Sequence, residues 1–176
     1  MAYHDLEWGK PLRLRQPLFE MLVLECMQAG LSWITVLRKR EAMRKIFHQF
    51  NVERLASLSD TELGDFLKAE GIIRNRLKIK ALRQNAQAFL AVEQREDIID
   101  YFWQFTSGKV VQNCRQMLSE IPAQTIESQQ MAKQLKKDGF SFLGPVTCYA
   151  FMQATGMVND HVQSCFRGQE LGGKMP

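Results

Sequence analysis

No apolar stretch in the 176-residue chain approaches the roughly 20 residues that cross a bilayer, so no membrane partner is expected. The opening Met1-Ala2-Tyr3-His4-Asp5 lacks the basic and then apolar order of an export leader, and the cytoplasm is the expected compartment. None of the four cysteines stands in a CxxC pair. In a chain without an export signal, reduced core thiols are the ordinary reading of Cys26, Cys114 and Cys148. Internal repeats, low-complexity segments and strictly alternating strands are also missing. What remains is 45% hydrophobic and 24% charged, as in ordinary globular proteins, and long enough for one domain over residues 1–176. A net charge of +4 permits nucleic-acid binding without requiring it.

The apolar period is helical nearly throughout, which predicts an all-α protein. Leu18, Met21, Leu22, Glu25 and Ala29 share a stripe of a helix over about 17–29 that Gly30 ends, and a second helix runs over about 32–47. Ser59 and Glu62 form a capping box ahead of Leu63, Phe66 and Leu67. Ile79, Leu82, Ala86 and Phe89 mark a longer helix, and a further helix spans about 97–105. Residues 109–127 look irregular. A helix over about 131–138, a glycine-bounded turn from Gly139 to Gly144 and a helix over about 146–155 follow. Beyond residue 167 or so, the glycine-rich tail is expected to be loose.

Four features carry possible chemistry. The turn between Gly139 and Gly144, with Pro145 opening the next helix, leaves backbone N–H groups for a phosphate oxygen beside Lys133, Lys136 and Lys137. An ordinary helical hairpin with a solvated basic end reads the same way. Glu25 on an apolar stripe implies a carboxylate withdrawn from water, serving a ligand or a structural partner. His161 and Cys165, at i and i+4, have metal-ligand spacing on a helix face, although two ligands make no site. Finally, Arg38, Lys39, Arg40, Arg44, Lys45, Arg74, Arg76, Lys78, Lys80 and Arg83 form basic runs that are either solvated faces or a surface for a polyanion.

In sequence order, Ala2-Tyr3-His4-Asp5-x-Glu7-Trp8-Gly9, Leu18-Phe19-Glu20-Met21 and the stretch Gln28 to Leu37 resemble the DNA-3-methyladenine glycosylase I family. So do Gly71-Ile72-Ile73-Arg74-x-Arg76, Gly139-Phe140-x-Phe142-Leu143-Gly144 and Val158-Asn159-Asp160-His161. The match runs nearly end to end. It implies a helix-hairpin-helix fold, with that unit at about 131–155, and a monomeric enzyme acting on double-stranded DNA that carries alkylated bases. It implies that Tyr3, Glu25 and Trp33 bind the flipped base, with Glu25 the group closest to catalysis. Leu31 resembles the residue that probes the gap left in the duplex. Gly139, Gly144, Lys136 and Lys137 would hold the backbone.

The family's structural zinc uses two Cys and two His, and His4, His161 and Cys165 match three of these positions. The segment that carries the remaining Cys precedes the Tyr-His-Asp motif in the family, whereas this sequence starts at Met1, so zinc is expected to be partial or lost and activity reduced. The expected reaction is hydrolysis of an N-glycosidic bond on an extruded nucleotide. Asn159 resembles the position of a sugar-stabilising Asp, and the adjacent Asp160 is a candidate for that role or for a cap. No lysine is placed for a Schiff base, so no strand cleavage is expected. The competing reading is a helical DNA-binding relic without catalysis.

Overall fold

The computed structural model describes residues 2–172. Ten α-helices follow one another among them: α1 Ala2–Leu6, α2 Arg15–Gln28, α3 Trp33–Ile46, α4 Val52–Ala56, α5 Asp60–Lys68, α6 Arg76–Glu93, α7 Ile98–Trp103, α8 Ile126–Lys137, α9 Pro145–Ala154 and α10 Phe166–Gly172. The fold is all-α, as expected.

Helix α2 is the axis of the core. Every residue from Leu18 to Met27 except Glu20 is buried, so it is wrapped on all sides rather than along the single stripe read from its sequence. It packs against α3, α6 and α9. Local chemistry sets the helix boundaries. Ser59 and Glu62 close the expected capping box at the start of α5. Asn75 accepts from the N–H groups of Leu77 and Lys78 to start α6, and Asp97 does the same for α7.

Three segments differ from the sequence reading. Helix α8 starts at Ile126, because Thr125 caps it and Ser128 bonds back to the Thr125 N–H at 2.9 Å. Two-residue strands β1 (Val111–Gln112) and β2 (Val158–Asn159) pair in parallel, and neither is long enough to show a period. The tail expected to be loose from about 167 forms α10 as far as Gly172; residues 173–176 lie outside the described part.

The segment that follows α1 crosses the end of α9. The Leu12 N–H donates to the Thr155 carbonyl at 2.9 Å. At the crossing, Gly156 has φ +68°, and a Cβ there would sit 2.6 Å from the Gly9 carbonyl oxygen and closer still to the Lys10 carbonyl carbon. Only glycine permits both the left-handed turn and this contact.

Candidate functional site

Tyr3 on α1, Glu25 on α2 and Trp33 at the head of α3 converge. The rings of Tyr3 and Trp33 lie 5.2 Å apart at 53°, and the Tyr3 hydroxyl points to Met21 Sδ at 3.8 Å. Glu25 is 4% exposed. Its Oε2 and the Trp33 Nε1 are buried and have no hydrogen-bond partner among the described residues. Burial pushes the Glu25 carboxyl up to about 8. It also raises the Tyr3 hydroxyl, and the nearby Glu25 raises it further. A buried acceptor and a buried donor without partners are costly in a finished core. Each belongs to a side chain close to the Tyr3 ring, and together they offer a donor and an acceptor to a flat polar ligand.

Beside these rings opens an apolar cleft of about 450 Å³, walled by Tyr3, Trp33, Ile34, Leu37, Leu118 and Val162. Glu25 is not part of its wall. The sequence reading missed Ile34, Leu37 and Leu118. The first two were legible as helical neighbours of Trp33; Leu118 comes from the irregular segment and carried no local signal.

In the wall of the same cleft, Cys165 Sγ lies 3.5 Å from His4 Nε2 and 3.5 Å from His161 Nδ1. The three donors lie within 4.8 Å of one another. His161 and Cys165 do not share a helix, as their spacing suggested; they lie in the turn between β2 and α10. A tetrahedral zinc, with Zn–S about 2.3 Å and Zn–N about 2.0–2.1 Å, separates its S and N donors by about 3.5 Å. The outer ring nitrogens are also engaged: His4 Nδ1 with Asp5 Oδ1 at 2.8 Å, His161 Nε2 with the Trp8 carbonyl at 3.3 Å. Such outer partners orient metal-binding imidazoles. The donor set therefore fits a zinc ion, with three ligands from these residues.

The turn joining α8 to α9 is held from α6. Gln84 Nε2 donates to the Gly139 carbonyl at 2.8 Å. Asn85 accepts from the Ser141 N–H at 2.8 Å and donates to its carbonyl at 3.1 Å. Gly144 is the N-cap of α9 with no side-chain cap, and Pro145 follows it, so the first N–H groups of α9 are left for an anion. Lys133, Lys136 and Lys137 are exposed nearby. Leu31 projects from the α2–α3 turn, 41% exposed.

The basic runs are less available than their sequence suggests. Arg40 pairs with Glu7 and Glu20, Arg44 with Glu20 and Glu41, and Arg83 with Asp60. Lys78 is buried. Arg76 and Lys80 remain exposed. Asp160 is fully buried and accepts from Tyr149 at 2.5 Å, Gln153 at 2.8 Å and Asn113 at 2.6 Å. Its lone pairs are thereby committed to tying β2 to α9 and to the segment after β1.

Two aromatic rings near a buried carboxylate, with a basic-rimmed hairpin packed on the same helix α2, suit an enzyme that binds an extruded base. Residues 1–168 match the methyladenine glycosylase family, and the chain belongs to it. It is 48% identical over 166 residues to DNA-3-methyladenine glycosylase 1 of Escherichia coli (strain K12), covering 94% of this chain and 89% of that protein. It is 46% identical over 164 residues to the DNA-3-methyladenine glycosylase of Haemophilus influenzae, covering 93% and 89%. A crystal structure of 3-methyladenine DNA glycosylase I superposes with a TM-score of 0.92 at 49% identity, covering 94% of this chain and 91% of the other.

Proposed function

We propose that this chain is a DNA glycosylase that turns 3-methyladenine out of alkylated duplex DNA and hydrolyses its N-glycosidic bond without cutting the strand. The observation that carries this reading is the buried Glu25 Oε2 and Trp33 Nε1, unpartnered among the described residues and set beside the Tyr3 ring.

Methylation at N3 leaves the purine cationic while N9 still holds the sugar. When the C1′–N9 bond breaks, its electron pair neutralises the base, and the positive charge passes to the sugar. Water then adds to C1′ and loses a proton. The departing base needs no protonation, so the protein has mainly to bind and orient. The Trp33 face attracts a cationic ring by roughly 0.5–2 kcal/mol when partly desolvated. Glu25 accepts a hydrogen bond from the exocyclic amine. A cation beside it favours the ionised carboxylate, against the burial that raises the carboxyl to about 8. Tyr3 closes the edge next to Trp33.

The helix-hairpin-helix unit formed by α8 and α9 grips the backbone through Gly139, Gly144 and the exposed Lys136 and Lys137, while Leu31 fills the space the base has left. His4, His161 and Cys165 would hold a structural zinc. Holding one together, His4 on α1 and His161 and Cys165 before α10 would join the two segments and so help to fix Tyr3 beside Trp33. Pocket, triad and hairpin all come from one chain, so a monomer suffices.

The test is release of free 3-methyladenine from methylated duplex DNA, compared between wild type and Glu25→Gln. Wild type is expected to release the base and the variant to lose at least most of that rate. A wild-type chain that binds methylated DNA but frees no base overturns the proposal.

A further inference from the structure

Helix α6 buries two polar side chains on one face, Lys78 and Asn85. They are seven residues apart, about 10 Å along the axis. Lys78 is 4% exposed, and no carboxylate is among its hydrogen-bond or ion-pair partners within the described residues. Its Nζ donates to the Met27 carbonyl at 2.8 Å and to the Ala29 carbonyl at 2.5 Å. An ammonium withdrawn from water and given only neutral acceptors is expensive. The end of α2 offsets part of that cost, because its last carbonyls are the negative end of the helix dipole.

A simple helix stop does not need this lysine. Gly30, at φ +76°, already turns the chain, and the Leu31 N–H closes the turn on the Gln28 carbonyl at 2.6 Å. What Lys78 adds is a fixed direction: the two carbonyls it grips bracket Gln28, three residues before Leu31. Asn85 does the equivalent for the hairpin, holding both backbone groups of Ser141 and lying 3.4 Å from Cys26 Sγ on α2.

We propose that Lys78 is a positioning residue for gap recognition. Through the Met27 and Ala29 carbonyls it aims Leu31, and together with Asn85 it makes α6 a rigid spacer between the probing turn and the backbone-gripping hairpin. This inference rests on the reading of Leu31 as the gap probe. A backbone held at α9 then places the vacated step under Leu31 with no search by a mobile loop, since the order is already present in the free protein.

The experiment measures affinity for two duplexes of the same sequence, one undamaged and one with a single tetrahydrofuran abasic analogue, using wild type, Lys78→Met, Leu31→Ala and the double variant. Wild type is expected to prefer the abasic duplex. Lys78→Met should lose about tenfold of that preference while binding undamaged duplex and free 3-methyladenine within about twofold of wild type. Added to Leu31→Ala, Lys78→Met should do nothing further, since it acts through Leu31. Asn85→Ala, which loosens the hairpin end of the spacer, should weaken both duplexes and lose part of the preference as well.

An unchanged preference in Lys78→Met, or effects that multiply in the double variant, overturns the proposal. If Lys78→Met does not fold, Lys78→Gln keeps a donor and should show an intermediate preference; failure of both to fold makes Lys78 purely structural and overturns it too. A wild type with no abasic preference sinks the reading of Leu31 itself, before any variant is compared.

Discussion

Replacing Glu25 by glutamine removes a charge that burial resists, and the consequence depends on pH with a definite sign. The folded chain holds the Glu25 proton far more tightly than the unfolded chain, with the carboxyl raised from 4.5 to about 8. The stability linked to this group is therefore complete below about pH 4.5, declines between 4.5 and 8, and is lost above that. At about 1.4 kcal/mol per pH unit, wild type has given up about 3 kcal/mol at pH 7 and about 4–5 kcal/mol at pH 9.

Glutamine does not titrate. It carries its own cost of about 1–3 kcal/mol for a buried amide short of partners, and that cost is the same at every pH. Glu25→Gln should consequently melt a few degrees below wild type at pH 5, draw level near neutrality and melt above it at pH 9. In a chain of this size 1 kcal/mol corresponds to about 2–4 °C. Thermal melts at the three pH values read the crossing directly, and base release from methylated DNA measured on the same samples should fall at least tenfold. A difference in melting temperature that stays constant from pH 5 to pH 9 would refute the argument, because it would mean that Glu25 is ionised and paired in the fold.

Binding to undamaged duplex should weaken steeply between about 50 and 200 mM salt, and Lys136→Ala and Lys137→Ala should each reduce the slope of log K against log salt by about 0.9; a flat titration removes the hairpin as a backbone grip. Zinc is expected at less than one ion per chain after dialysis, with added zinc slowing amide exchange over residues 2–8 in wild type and not in Cys165→Ser. One tightly held ion per chain would show that His4, His161 and Cys165 are enough. Arg40→Met leaves the exposed Glu7 to water and Glu20 to Arg44, so no more than about 1 kcal/mol should be lost in denaturant titration, with base binding weakened through the loosening of α1. Asp160→Asn places an amide where Tyr149 and Gln153 donate and should cost about 2–4 kcal/mol; unchanged stability would free Asp160 for a role at the sugar.

Much of this arrangement could be read from local chemistry. The capping box at Ser59, the period of Ile79, Leu82, Ala86 and Phe89 and the Gly139–Gly144 turn are specified by neighbours within a few residues, and the structure places each of them as the sequence suggested. Glu25 was legible because a carboxylate on an apolar stripe is anomalous wherever the stripe packs. Errors arose where the deciding partner is distant. Arg40 and Arg44 look like a basic face until Glu20 arrives from α2, and Lys78 reads as one more surface cation until α6 turns it towards α2. His161 and Cys165 do meet, but through an irregular turn that happens to bring positions four apart together, so the proximity was right and the helix was not.

The crossing at Gly156 has a consequence for the order in which the protein is made. Residues 3–12 take part of their seat from Gly156, Thr155, His161 and Cys165, which are synthesised about 150 positions later. At about 5–20 residues per second, the leading segment leaves the ribosome and waits on the order of ten seconds or more for its seat. During that interval α2, α3, α4 and α6 can begin to pack on one another, but the side of α2 that α9 covers is still bare, and the metal donors are strangers to one another. A nascent or C-terminally truncated chain should therefore lack both the α9 side of its core and part of the seat of α1, and be unable to hold a base: the pocket is closed last, when residues 3–12 meet residues 155–165.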